Sequence, residues 1–259
     1  IHSIPLAPPT MSKRPLGYII QESTSPIDGS PIVVVLTMSS SNRKTGDMCQ
    51  VWILRADMNP VEALNTGADF SICGNCPHRK GENSYVDGVL QYEEKASRSC
   101  YVNVGQAPNS VWKAYKAGKY QPDLHCLGAR EAVKGRKIRW GAYGDPALIK
   151  PLVFRILNNA AAGHTAYTHQ WREDWAAWTA GHMQASCDGM ADYIDASSRG
   201  FKTFAVVPKG ASNYSGKLCP ATAEGSSVQC KTCSLCDGAK ADIFVEAHGA
   251  GAKHVVSVA

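Results

Sequence analysis

At 259 residues the chain can bury a core unaided, and with 44% apolar and 19% charged residues it is neither a disordered segment nor a fibrous protein. Its longest apolar run, IVVVL at 32–36, is far shorter than the roughly 20 residues a spanning helix needs, so a soluble protein with no membrane partner is expected. A net charge of +5 permits a phosphate-bearing partner such as nucleic acid but falls well short of a dedicated nucleic-acid binder.

Residues 1–29, with Pro5, Pro8, Pro9, Pro15 and Pro26, read as an extended arm with little regular structure and no apolar stretch of signal-peptide length. From Ile32 onward, short β-branched or aromatic runs predict strands over 32–37, 50–55, 101–104, 137–142, 165–168, 183–186, 203–207 and 242–247. Helices with readable ends lie between them. Asn59-Pro60 starts one that Gly67 stops, and Ser110 starts another that Gly118 stops. A third over 151–162 places Leu152, Ile156, Leu157 and Ala160 on one face, and a fourth over 190–199 places Ile194 inside.

This alternation predicts an α/β fold: a mostly parallel sheet with helices outside, open or rolled into a full or partial (βα) barrel, plus a C-terminal cysteine-rich cluster-binding segment. The chain accordingly divides into an arm at 1–30, an α/β core at 31–212 and a cysteine-rich segment at 213–259 packed on the core. Chemistry in such folds gathers at the C-terminal ends of strands, where the sequence places Gly141-Ala142-Tyr143-Gly144-Asp145-Pro146, Thr168-His169-Gln170-Trp171 and Cys187-Asp188-Gly189.

Seven of the ten cysteines fall in two local groups, a pattern suited to metal rather than to distributed disulfides, and it points to a reducing, cytoplasmic compartment. The stronger group is Cys219-Pro220, then Cys230-x-x-Cys233-x-x-Cys236. Its spacing wraps three thiolates around one iron–sulfur cluster while a remote Cys-Pro closes it, as in bacterial ferredoxins. Zinc is the rival metal, since four thiolates also make a closed structural site. Three cysteines in seven residues are crowded for a tetrahedron and comfortable around a cubane. The second group is Cys73-Gly74-Asn75-Cys76-Pro77-His78-Arg79 with the later Ser99-Cys100-Tyr101. Three ligands would leave one iron open, and Cys187, Cys49 and Cys126 are candidates for a fourth; a zinc loop borrowing Cys100 and a histidine is the alternative. One 4Fe–4S cluster is expected, and a second is compatible with the cysteine count.

Together these groups and the Gly-Asp-Pro strand end resemble radical S-adenosylmethionine enzymes, which share a partial (βα) barrel, a three-cysteine cluster near the N-terminal half and often auxiliary clusters near the C-terminus. The resemblance implies that Cys73, Cys76 and Cys100 hold a reactive cluster and that Gly141, Tyr143, Gly144, Asp145 and Asp188 line an S-adenosylmethionine pocket. It further implies that Cys219, Cys230, Cys233 and Cys236 hold an auxiliary cluster, and that the substrate is a small molecule it does not identify. The family's compact C-x-x-x-C-x-x-C is absent, because a long spacer separates Cys76 from Cys100. More closely, Ser41-Asn42-Arg43-Lys44-Thr45-Gly46, the two cysteine groups and Gly144-Asp145-Pro146 resemble uncharacterised phage and plasmid proteins of the gene-product-88-like type over most of the chain after Met38. That implies a host-cell cytoplasmic location and no known activity.

A metal-stabilised nucleic-acid-binding or structural module is the competing class. Arg130, Lys134, Arg136, Lys137 and Arg139 precede Trp140, and basic residues beside aromatics can contact phosphates and stack bases. Trp171, Trp175 and Trp178 share a helical spacing that reads as core. His164, His169 and His182 lie near element ends, where each could be a ligand or proton carrier. The sequence lacks H-E-x-x-H, G-x-S-x-G, a Walker-type loop and a G-x-G-x-x-G after a strand, which removes the usual support for zincin, serine-hydrolase, nucleotide-triphosphatase and nicotinamide-dehydrogenase readings.

Overall fold

In the computed structural model, which describes residues 15–39, 42–95, 98–210, 215–223 and 225–247, a run of β-branched side chains nucleates the first sheet. The expected arm over 1–14, Ser41 and the end of the cysteine-rich segment at 248–259 lie outside the described residues. β1 (Gly17–Thr24), β2 (Pro31–Thr37) and β3 (Cys49–Arg55) pair antiparallel, with Val33, Val34, Val35 and Leu36 fully buried. The strand at 17–24 corrects the reading of 1–29 as an unstructured arm. Pro15 and Pro26 bracket the strand rather than interrupt it, and Tyr18, Ile19 and Ile20 enter the core.

After β3 come α1 (Pro60–Thr66), α2 (Phe70–Cys73) and the hairpin β4 (Gly81–Val86) and β5 (Val89–Glu94), which the sequence reading missed because its strands are largely exposed. Asn59 caps α1 through the Glu62 N–H and Gly67 ends it at φ 74°, as the sequence grammar predicts. The stretch 101–104 is not a strand. α3 (Ala107–Lys116) begins before the expected Ser110, with Pro108 in its first turn; β6 (Gln121–Pro122), α4 (Leu127–Val133), β7 (Lys137–Tyr143) and α5 (Pro151–Ala160) follow.

The expected strand over 165–168 is split at Ala166 into β8 (Gly163–Thr165) and β9 (Tyr167–Thr168). The remaining elements are β10 (Gln184–Cys187), α6 (Met190–Ser198), β11 (Thr203–Val207), β12 (Lys217–Leu218), α7 (Cys230–Cys233) and β13 (Ile243–Glu246). Two helix-face assignments are corrected. Leu152 is 61% and Ile194 62% exposed, because α5 buries Val153, Phe154 and Leu157 and α6 buries Ala196 instead.

The sheets are mixed and parallel. The six-stranded sheet runs β6-β1-β2-β3-β7-β8, with β3, β7 and β8 parallel, and the five-stranded sheet runs β12-β13-β11-β10-β9, parallel throughout. They do not close into a barrel. Ala166 joins them: its N–H donates to the Cys236 carbonyl, and its carbonyl accepts from the Gln184 N–H. The fold is therefore α/β, and among the described residues no helix is long and apolar enough to cross a membrane.

Candidate metal centre

Four segments that follow parallel strands meet at one place. The chain leaving β3 runs through α1 and α2 to Cys73; β7 ends at Tyr143, β9 at Thr168 and β10 at Cys187. The Asp145 N–H donates to the Ile72 carbonyl at 2.7 Å, and its carboxylate accepts from the His169 N–H at 2.8 Å and from the Ala147 N–H at 3.0 Å. Burial raises the Asp145 carboxyl despite those donors. Gly144 lets the strand end turn at φ 77°, and a Cβ there would stand 2.6 Å from the Ile53 carbonyl oxygen.

Gly144→Ala is therefore expected to cost about 1–3 kcal/mol, from left-handed strain plus a backbone clash that cannot relax. Gly135, at φ 70° with open space around it, isolates the strain. Denaturant titration should find Gly135→Ala the milder of the two, and equal costs would show that Ile53 is not packed against Gly144.

The first cysteine group assembles here. Cys73 ends α2, and Gly74 follows at φ 54° with the Gln170 amide where a side chain would be; Gln170 donates to the Cys73 carbonyl at 3.0 Å. Arg79, 3% exposed, pins the loop by donating to the Asp69 carboxylate at 2.6 and 3.0 Å, to the Gly67 and Gly74 carbonyls, and to Asn83. Cys100, distant in sequence, is brought in by its N–H donating to the His78 carbonyl at 3.0 Å and by Arg98 donating to the Cys100 and Val102 carbonyls.

Burial pushes the Cys73 thiol well above its ordinary value, and Asp69, Cys76 and Cys100 push it further. Burial likewise raises Cys100, with Arg98 opposing. Beside Cys73 and Cys100 lies Tyr143, raised first by burial and then by Cys73, whose buried hydroxyl has no hydrogen-bond partner. Half-buried thiols next to a hydroxyl without a partner suit a metal-containing guest.

Two histidines face this group. His169 Nε2 is 3.9 Å from the Cys76 sulfur and 3.3 Å from Asp188 Oδ2, while His78 Nε2 is 2.8 Å from Asp188 Oδ1. Although burial opposes it, hydrogen bonds from His169 and His78 hold the Asp188 carboxyl below the usual carboxylate range. Burial alone would lower His169, but the Cys76 sulfur and Asp188 outweigh it and raise the imidazole well above its ordinary value.

The C-terminal four also converge. Cys219 follows β12 with its N–H on the Phe244 carbonyl; α7 carries Cys230 and Cys233, and the Cys230 N–H donates to the Lys44 carbonyl at 2.8 Å. With Cys236 they line a single cleft alongside Tyr167, Pro220 and Leu235. Burial pushes the Cys236 thiol up to about 12, the other three sulfurs adding to it and Tyr167 opposing. Four cysteine sulfurs lining one apolar cleft also suit a metal guest.

Among the described residues, one trio of potential ligands has its atoms within 4.8 Å of one another: His78, His169 and Asp188.

The candidate fourth ligands lie elsewhere. Cys49 and Cys126 are buried in the main core, where burial takes Cys126 to about 11. Cys187 belongs to a second core with Trp171 and Phe201, its thiol facing the Ala185 carbonyl at 3.4 Å and raised by burial to about 12. The three tryptophans are packed in the two cores, as their spacing suggests, although Trp171 lies outside the short 3-10 helix Asp174–Thr179.

The basic stretch is not laid out as a stacking platform. Trp140 is fully buried, Arg136 donates to the Met38 and Asp47 carbonyls, Lys137 to Ser234 and Arg139 to Tyr101. His164 and His182 pack against Phe154, beside the Asp237–Gly238 turn that follows Cys236. Sequence reasoning quoted His78 and Ser99 inside the cysteine motifs without assigning them. Their one sequence signal was adjacency to Cys76 and Cys100. Comparison with protein-family models, curated proteins and solved structures yields no match, so the chemistry rests on these donor sets alone.

Proposed function

We propose that this chain is an iron–sulfur protein of the radical S-adenosylmethionine-like class, with a reactive 4Fe–4S cluster on Cys73, Cys76 and Cys100 and an auxiliary cluster on Cys219, Cys230, Cys233 and Cys236. The observation that carries the reading is the gathering of sequence-distant thiols: Cys100 joins Cys73 and Cys76 beside α2, and Cys219 joins Cys230, Cys233 and Cys236 in one apolar cleft.

Cys73, Cys76 and Cys100 would hold the first cluster, which when bound would supply one electron to a sulfonium beside it. The protein's part is to position. Arg79 and Asp69 fix the Cys73–Cys76 loop, Tyr143 offers its unpartnered hydroxyl beside the thiols, and Gly141 and Gly144 turn the strand end at positive φ ahead of Asp145. The parallel run β3, β7, β8 continuing through Ala166 into β9, β10 and β11 supports a partial (βα) barrel around that site. Kinship with the gene-product-88-like phage and plasmid proteins, and with it a host-cytoplasmic role, rests on the shared motifs.

Cluster-loaded protein given dithionite and S-adenosylmethionine is expected to release methionine and deoxyadenosine, with the electron coming from dithionite and the hydrogen atom from a C–H bond of substrate, protein or buffer. Cys73→Ser should abolish release. Loaded wild-type protein that neither binds nor cleaves S-adenosylmethionine would remove the enzyme part of the reading and leave the clusters to be judged separately.

A further inference from the structure

Beside the first cysteine group lies a ligand set that the two clusters do not use. His78 comes from the loop after α2, His169 from the end of β9 and Asp188 from the end of β10, three segments far apart in sequence. Both Nε2 atoms aim at the one carboxylate, at 2.8 and 3.3 Å, and the three ligand atoms lie within 4.8 Å of one another. Nitrogen and oxygen ligands about 2.1 Å from one ion stand roughly 3.0–3.4 Å apart, close to the two nitrogen–carboxylate distances, so small shifts of the two rings would admit an ion. The side chains are 19–22% exposed, which leaves a face open to an entering ion.

Each ligand is also held from behind. His78 Nδ1 is 2.7 Å from the Ser99 hydroxyl, which fixes the ring and leaves Nε2 free to coordinate. The His169 N–H donates to Asp145, and the Asp188 N–H donates to the Asp192 carboxylate at 3.0 Å. The rings meet edge to face with centroids 5.6 Å apart, converging on the carboxylate from two sides.

We infer that His78, His169 and Asp188 form a mononuclear site for a divalent first-row transition ion, a two-histidine, one-carboxylate triad with open coordination positions. Two imidazoles among three ligands select iron, cobalt or zinc over magnesium or calcium. The ion would sit next to Cys76, so the reactive cluster and a second metal would share one pocket at the strand ends.

The test uses the full chain purified anaerobically, freed of loosely held metal, and equilibrated with cobalt(II) while acid-labile sulfide is counted in parallel. One cobalt per chain is expected to bind without displacing iron or sulfide. Asp188→Asn should weaken that binding at least about tenfold, and Ser99→Ala, which removes only the support of His78, about 10- to 100-fold, with sulfide unchanged in both. Should Asp188→Asn fail to fold, Ser99→Ala carries the test. Cobalt uptake that is absent from the wild type, or as tight in both variants as in the wild type, would overturn the site; so would a His169→Ala variant that loses sulfide but keeps cobalt, since His169 would then serve the cluster. Because cobalt binding is read whether or not sulfide is present, failure of the cluster reading and failure of this site are separate results.

Discussion

Arg79→Leu is expected to destabilise the protein by about 3–5 kcal/mol and to empty the first cluster site, because it leaves the Asp69 carboxylate buried without its partner. Arg79 and Asp69 are 3% and 4% exposed, and the guanidinium also satisfies the Gly67 and Gly74 carbonyls and the Asn83 side chain. Burial raises the Asp69 carboxyl even against Arg79, so the pair is not a large net source of stability. What it sets is the path of the loop between Cys73 and Cys76, and losing one member leaves several buried groups unsatisfied at once. Arg79→Lys should keep the charge but lose the fork, recovering only part of the stability. Chemical denaturation beside iron analysis separates the outcomes. A change no larger than that from breaking the exposed Lys95–Glu82 pair would mean the loop is not anchored here.

Cys236→Ser and Cys100→Ser should each remove one cluster and spare the other, so iron and sulfide fall by about half in either variant and vanish in the double. The independence follows from the fold: Cys100 is tied to the His78 carbonyl beside α2, whereas Cys236 lies with Ala241 and Ile243 in a separate small core. Cys236→Ser carries the larger structural penalty. The segment around α7 has little apolar packing of its own, so metal binding would supply much of its folding energy. Amide exchange across 219–236 should rise in this variant and not in Cys100→Ser. Simultaneous loss of all iron in both variants would contradict two independent sites.

The central strands were legible because their β-branched runs have no other use: 32–37, 50–55 and 203–207 fall almost where the chain builds them. β1 was not, because prolines at both ends resemble a loop and its apolar face is declared only by pairing with β2. The stretch 101–104 carries strand-like residues, but the Cys100 and Val102 carbonyls accept from Arg98, so its backbone joins no ladder. Within the site, the cysteines could be grouped by spacing and the Gly-Asp-Pro strand end by its punctuation. His78 and Ser99 could not be assigned, since a histidine after a C-x-x-C pair acquires a role only when β10 delivers Asp188 to it. Cys187 shows the converse: a candidate fourth ligand alongside Cys49 and Cys126, it packs instead in the second core with Trp171 and Phe201.

Metal and acid-labile sulfide analysis of anaerobically purified protein, with its visible spectrum, bears most directly on the iron–sulfur assignment. Iron and sulfide in near-equal amounts, with a broad absorption that bleaches on reduction, is the expected result. Zinc without sulfide would contradict it and make the cysteine groups structural sites of a binding module.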